Sequence, residues 1–237
     1  MTQPASEAYR LAPEEKIQKV HAALSAYYGE LEWRPRTDPM SELVLTILSQ
    51  HTSDANSFRA FEEMKRRFPT WEEVLEAPTS ELADAIKSGG LANIKAPRIQ
   101  EVLRLILQER GSFDLGFLYD MPLDEARAWL SGFKGVGPKT AACVLMFACG
   151  RPVLPVDTHV YRVSRRLGLI DPRTTPEKAH QALENMLAPE QRYPFHIHMI
   201  TYGRQVCRAL RPLCEQCVVR EWCSYYAEVV KRTSSVG

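Results

Sequence analysis

No run of apolar residues in this chain approaches the ~20 that a bilayer span requires. The most apolar stretches, such as ACVLMFACG, stop far short of it, so no membrane is expected. The first residues, MTQPASEAYRLAPEEK, lack a basic start followed by an apolar stretch. No secretory signal is read there, and a cytoplasmic location is expected. Strict apolar–polar alternation is missing over any useful length, which argues against strands. Net charge is nearly absent, at +1, and neither demands nor excludes nucleic acid. Internal repeats and low-complexity linkers are also lacking.

The chain does have a helical period almost throughout. Its 237 residues, 45% apolar and 25% charged, suit a globular protein of one large or two modest domains. Apolar residues recur at spacings of three and four over 13–28, 41–50, 54–68, 70–76, 79–87, about 95–110, 123–131, 138–149, 157–167, 176–187 and 193–207. Ser41 and Asp54 are expected as N-caps. The fold class is therefore all-α, with residues 1–12 and 233–237 polar and frayed. A change of character at Gly150-Arg151-Pro152 marks the expected division into two lobes. Residues 151–237 hold 13 Lys and Arg against 8 Asp and Glu, while residues 1–150 hold 17 against 21. The basic back half points weakly to one positive face, although a solvated helix surface reads the same way.

FKGVGPKTAA, residues 133–142, sets two glycines around one valine ahead of a helix. Both Gly135 and Gly137 can take positive φ, and Pro138 suits the first helical position. Amides converging at a helix N-terminus can hold a phosphate. A plain helix–helix turn fits the same residues, with Lys139 a solvated lysine and Asp157 only the cap of the 157–167 helix.

Four of the six cysteines, Cys207, Cys214, Cys217 and Cys223, fall within seventeen residues with gaps of six, two and five. In a reducing compartment disulfides are not expected. Four thiolates so spaced can wrap an iron–sulfur cluster or a tetrahedral zinc. Cys143 and Cys149 lie in the apolar run and read as core. His196 and His198, two apart on one helix, point in different directions and read as packing or capping residues.

The amphipathic LDEARAWLSG, the GVGPK turn and the helix PKTAACVLMFACG together resemble a helix–hairpin–helix motif. GVGPKTA followed by VDTHVYRV resembles the endonuclease III family of DNA glycosylases, and the six–two–five cysteine spacing resembles that family's [4Fe–4S] loop. The resemblance covers about residues 40–227. It implies a two-lobe fold: a six-helix bundle at 32–151 carrying the hairpin, and an iron–sulfur lobe built from 1–31 and 152–237, with DNA in the cleft between.

The same resemblance makes Lys139 and Asp157 the catalytic pair. A lysine amine can displace a damaged base from C1′, become a Schiff base and so permit β-elimination of the 3′ phosphate. An ammonium cannot attack, but desolvation and a positive helix end both disfavour that charge. The carboxylate would orient the amine, take up a proton and stabilise the cationic sugar.

Gly135, Val136 and Gly137 would grip a DNA phosphate. In ILSQHTSD the family's gap-filling glutamine falls on His51, with Gln50 one position earlier, so His51 is expected as the plug. In GGLANIKAPRI, Leu91 takes an intercalating position and Lys95 a phosphate contact; the aromatic residue that often follows the leucine is Ala92 here. Arg204, Arg208 and Arg211, around the cysteine loop, would meet phosphates. The expected partner is double-stranded DNA containing damaged bases or abasic sites, bound by a nucleoid-associated monomer that excises oxidised pyrimidines. An adenine-mismatch glycosylase, a DNA-binding module without chemistry and a cluster-bearing redox protein remain as rivals; Lys139 argues against the first.

Overall fold

A computed structural model describes residues 7–230; residues 1–6 and 231–237, which include the polar end expected at 233–237, lie outside them. Its described residues are helical, with no strand among them. Two compact units divide the chain. One runs Arg34–Arg151, and the other joins the segment up to Trp33 with the segment from Pro152 onward.

In the Arg34–Arg151 unit the helices are α2 (Pro39–Leu48), α3 (Asp54–Arg67), α4 (Trp71–Glu76), α5 (Thr79–Ala85), α6 (Ala92–Arg110), α7 (Leu123–Ser131) and α8 (Pro138–Phe147), after α1 (Pro13–Tyr28) in the other unit. Every residue of α2 is buried, which places it at the centre of the unit with α8 packed against it. A helix apolar on nearly all sides has no other stable location. Each fully buried Leu, Ile or Val contributes about 1.5–3 kcal/mol. One carboxylate shares this interior. Glu42 is wholly buried, pairs with Arg36 and accepts from Thr46 Oγ1 at 3.0 Å.

Two caps differ from the sequence expectation. Asp38, not Ser41, caps α2 by accepting from the Ser41 amide at 3.0 Å, because Pro39 starts the helix two residues earlier. Ser53, not Asp54, caps α3 by accepting from the Asn56 amide.

The second unit contains α1, α9 (Thr158–Leu167), α10 (Pro176–Glu184) and α11 (Arg192–Gln205). Ile17, Val20 and Leu24 of α1 form one core with Val160, Val163 and Leu167 of α9 and Phe195, Met199 and Tyr202 of α11. That shared core makes the chain's first helix part of its C-terminal unit. Residues 7–12 are less frayed than expected. Glu7–Arg10 forms a 3₁₀ turn, and buried Lys16 donates to Tyr9 O at 2.7 Å and Leu167 O at 2.9 Å. His196 is buried with Nδ1 against Pro155 O at 2.8 Å, and His198 is buried in a stack on Tyr28.

Candidate active site

The GVGP turn joins α7 to α8, and its two glycines do different work. Gly135 takes φ +87°, a left-handed conformation, with Arg98 pressed against it. Gly137 instead has φ −92° and extended backbone, so positive φ is needed only at Gly135. What Gly137 provides is space, since an added Cβ would meet nothing within 4 Å. Val136 is buried and its amide closes the turn on Phe133 O at 3.0 Å, so, against the sequence expectation, both its side chain and its backbone donor are engaged inside the protein. No side chain caps α8. Its first amides, those of Lys139 and Thr140, therefore face outward as donors for an anion.

A contrast between the glycines follows. Gly135→Ala combines positive φ with a Cβ only 2.5 Å from Arg98 Nε and should cost about 1–3 kcal/mol. Gly137→Ala should leave the melting temperature nearly unchanged while placing a methyl where a phosphate would sit, so DNA binding weakens. Thermal unfolding of both variants beside a DNA titration checks the pair. Equal DNA affinity for Gly137→Ala and the unaltered protein would remove the phosphate from this turn.

Lys139, half-buried, is the second residue of α8. Four residues on, on the same helical face, lies buried Cys143. Burial pushes the Cys143 thiol up, and the opposing influence of Lys139 acts through charge and a hydrogen bond.

In the other unit Asp157 caps α9. Its Oδ1 accepts from the His159 amide at 2.9 Å and the Val160 amide at 2.8 Å. Among the described residues no donor reaches Oδ2, so capping occupies half the carboxylate. Burial draws the His159 ring below its usual range against the pull of Asp157, with Arg162 and Arg204 adding to the lowering. Arg204 thus stands near Asp157's helix start, while Arg208 and Arg211 are exposed on the loop after α11. Leu210 between them is 95% exposed.

Two arginines the sequence reading passed over hold that loop. Arg162 donates to Gly203 O at 2.8 Å and Cys207 O at 3.0 Å, and Arg166 to Arg208 O at 2.6 Å and Ala209 O at 2.7 Å. Their spacing of four on the α9 helix is a detectable signal, but their carbonyl partners are not.

The four loop cysteines interact with one another. Burial pushes the Cys223 thiol up to about 12, with Cys217, Cys207 and Cys214 adding to the rise. Cys214 and Cys217 are likewise raised, first by burial and then by neighbouring thiols. Clustered thiolates here need a cationic partner. Among the described residues no three Cys, His, Asp or Glu side chains gather closely enough to hold one metal ion. Tetrahedral zinc requires four sulfurs each about 2.3 Å from one centre. Four thiols within electrostatic reach of one another are a donor set that either a tetrahedral zinc or a cluster of four irons can use.

Back in the Arg34–Arg151 unit, the expected base-reading residues separate. His51 is exposed with φ 56°, and Leu91 is half exposed with φ 51°. Ile94, three residues after Leu91, is 54% exposed and extends the same apolar patch; the sequence reading missed it. Gln50 is engaged elsewhere: Nε2 donates to Gly135 O at 3.0 Å, and Oε1 accepts from Arg98 Nη1 at 2.9 Å. Lys95 does not meet a phosphate. It is 1% exposed, and its Nζ donates inward to Leu48 O at 2.6 Å and Gly89 O at 2.8 Å. A side chain so enclosed cannot reach a ligand on the surface.

Residues 44–189 match the family model described as HhH-GPD superfamily base excision DNA repair protein. Endonuclease III of Thermotoga maritima is 37% identical over 190 residues, 80% of this chain and 84% of that one. A non-covalent endonuclease III–DNA complex superposes with TM-score 0.80 at 26% identity, covering 92% of this chain and 98% of that one. A trapped endonuclease III–DNA covalent intermediate does so with TM-score 0.78 at 27% identity, covering 93% and 98%.

Proposed function

This chain belongs to the HhH-GPD superfamily of base excision DNA repair proteins as an endonuclease III-like DNA glycosylase and AP lyase, and we propose that its substrates are oxidised pyrimidines in duplex DNA. The observation that carries this reading is Lys139, an amine in the first turn of an uncapped helix behind a turn that leaves room at Gly137. A member of the family has been trapped as a covalent DNA intermediate, and an amine so placed is a suitable nucleophile.

In the proposed reaction a damaged nucleotide leaves the stack at a cost of roughly a few kcal/mol. His51 and Leu91 fill the space it vacates. The neutral amine of Lys139 attacks C1′ while the base departs with the bonding electron pair. The Asp157 carboxylate serves as the base that takes up a proton and stabilises the cationic sugar. Ring opening gives a Schiff base at C1′. That iminium withdraws electrons, a C2′ proton is lost, and the 3′ phosphate leaves by β-elimination. Water then hydrolyses the imine and restores the lysine. Arg204, Arg208 and Arg211 neutralise phosphates, and the protein acts as a monomer.

The test is borohydride reduction during reaction with an oligonucleotide carrying one oxidised thymine. A covalent protein–DNA adduct and a 3′-cleaved strand are expected. An adduct with an abasic site but none with the oxidised thymine would refute the substrate class and leave the lyase.

Cys207, Cys214, Cys217 and Cys223 would hold a [4Fe–4S] cluster. When bound, the cluster supplies rigidity to the arginine-bearing loop and takes no part in base release. Purified protein should contain about four irons per chain, with broad visible absorption and little zinc. Cys217→Ser should lose iron and weaken DNA binding together. Stoichiometric zinc in a fully active sample would overturn the cluster assignment.

A further inference from the structure

The polar bonds of α6 reach three loops that carry residues proposed to touch DNA. Among the described residues, buried Lys95 pairs with no acidic side chain. It donates to Leu48 O, at the end of α2, and to Gly89 O, at the end of the short turn Lys87–Gly89. Helix-terminal carbonyls are the partially negative ends that suit an ammonium. A methionine would fill the same volume without the desolvation that a buried charge entails. The amine therefore earns its place through the two carbonyls it holds.

One turn further along the helix, Arg98 donates to Gln50, whose amide donates in turn to Gly135 O of the hairpin. His51 and Leu91 are the two non-glycine residues with positive φ among the described residues. Each lies two or three residues past a carbonyl held by Lys95. Strained backbone of this kind persists only where its surroundings over-determine it, and it gathers at functional sites.

Resting on the function proposed above, we infer that Lys95 and Arg98 are positioning residues that lock the plug loop, the wedge turn and the hairpin into one rigid reader. Gln50 belongs to the lock. His51 and Leu91 are the pair left to enter the duplex, and discrimination of the opposite base falls to His51.

Lys95→Met should lower the single-turnover excision rate by about 100-fold, the scale of a 1 Å misplacement. Affinity for undamaged duplex should stay within about two-fold, because phosphate contacts dominate it. A 2-aminopurine placed beside the lesion should brighten less, reporting poorer extrusion. Lys95→Arg, which keeps donors at both carbonyls, should restore most of the rate. In a background of His51→Ala and Leu91→Ala, adding Lys95→Met should change little, since the loops it positions no longer carry the inserting groups. Equal rate losses in both backgrounds would overturn the clamp.

Hydrogen exchange of the unaltered protein decides the matter even if Lys95→Met does not fold. The amides of 49–51 and 89–91 should open together, and independent opening would also overturn the clamp. Adduct formation by the unaltered protein separates the two readings. Its loss sinks the proposed function while the exchange arm still judges the clamp. Its presence alongside a full-rate Lys95→Met protein sinks the clamp alone.

Discussion

Lys139→Gln is expected to abolish both the borohydride adduct and strand cleavage, with base release falling by at least about 10⁴-fold, the scale of removing a nucleophile. The glutamine amide has no nucleophilic nitrogen pair and cannot form a Schiff base. Folding should survive. Position 139 is half-buried in the first turn of α8, glutamine is a good helix former, and surface changes of this kind usually stay within about 0.5 kcal/mol. Single-turnover kinetics on oxidised-thymine and abasic oligonucleotides, with melting curves alongside, measure the outcome. Lys134, exposed at the start of the same turn, is the control. If the adduct persists in Lys139→Gln and maps to Lys134, the assigned nucleophile is wrong.

Asp157→Asn should produce the second largest effect, a fall of roughly 10²–10⁴-fold in base excision. Asparagine keeps an acceptor for the His159 and Val160 amides, so the start of α9 remains capped. What disappears is the negative charge and its capacity to take a proton. The lost attraction to the positive helix end costs about 0.3–1 kcal/mol of stability. Asp157→Ala removes the cap as well and should lose about 1 kcal/mol through capping. The two variants therefore separate structure from chemistry. Equal excision defects with unequal stability assign the carboxylate to catalysis. Full activity in Asp157→Asn would reduce Asp157 to a helix cap.

The places of both residues in the fold, one in the first turn of α8 and one at the cap of α9, were legible because their signals are local. A glycine turn, a helix-starting proline and a lysine lie within five positions, and an N-cap aspartate touches amides two and three residues away. The cysteine loop was legible for the same reason. Local chemistry also misled at small scale. Ser41 and Asp54 are good caps by type, yet Asp38 and Ser53 fill the role, because Pro39 starts α2 earlier and Asp54 is already the first residue of α3. Gly137 likewise resembled a positive-φ residue and proved to be extended.

The residues that were misjudged depend on partners far away in the chain. Lys95 meets Leu48 across 47 positions, and Gln50 meets Gly135 across 85. A lysine in a basic, loop-adjacent segment has the composition of a phosphate contact whether it points outward or inward. Nothing near it in sequence reveals that two helix-terminal carbonyls await it in the interior.

Periodicity and turn chemistry by themselves determined the helical class and the hairpin turn, because each is set by neighbours a few residues apart. Tertiary structure alone decided which side chains were turned inward and which were left exposed. A hydrogen-bonding group serves whichever partner the fold brings to it, and burial made carbonyls the partners of Lys95 and Gln50 while leaving His51, Leu91 and Ile94 in the open.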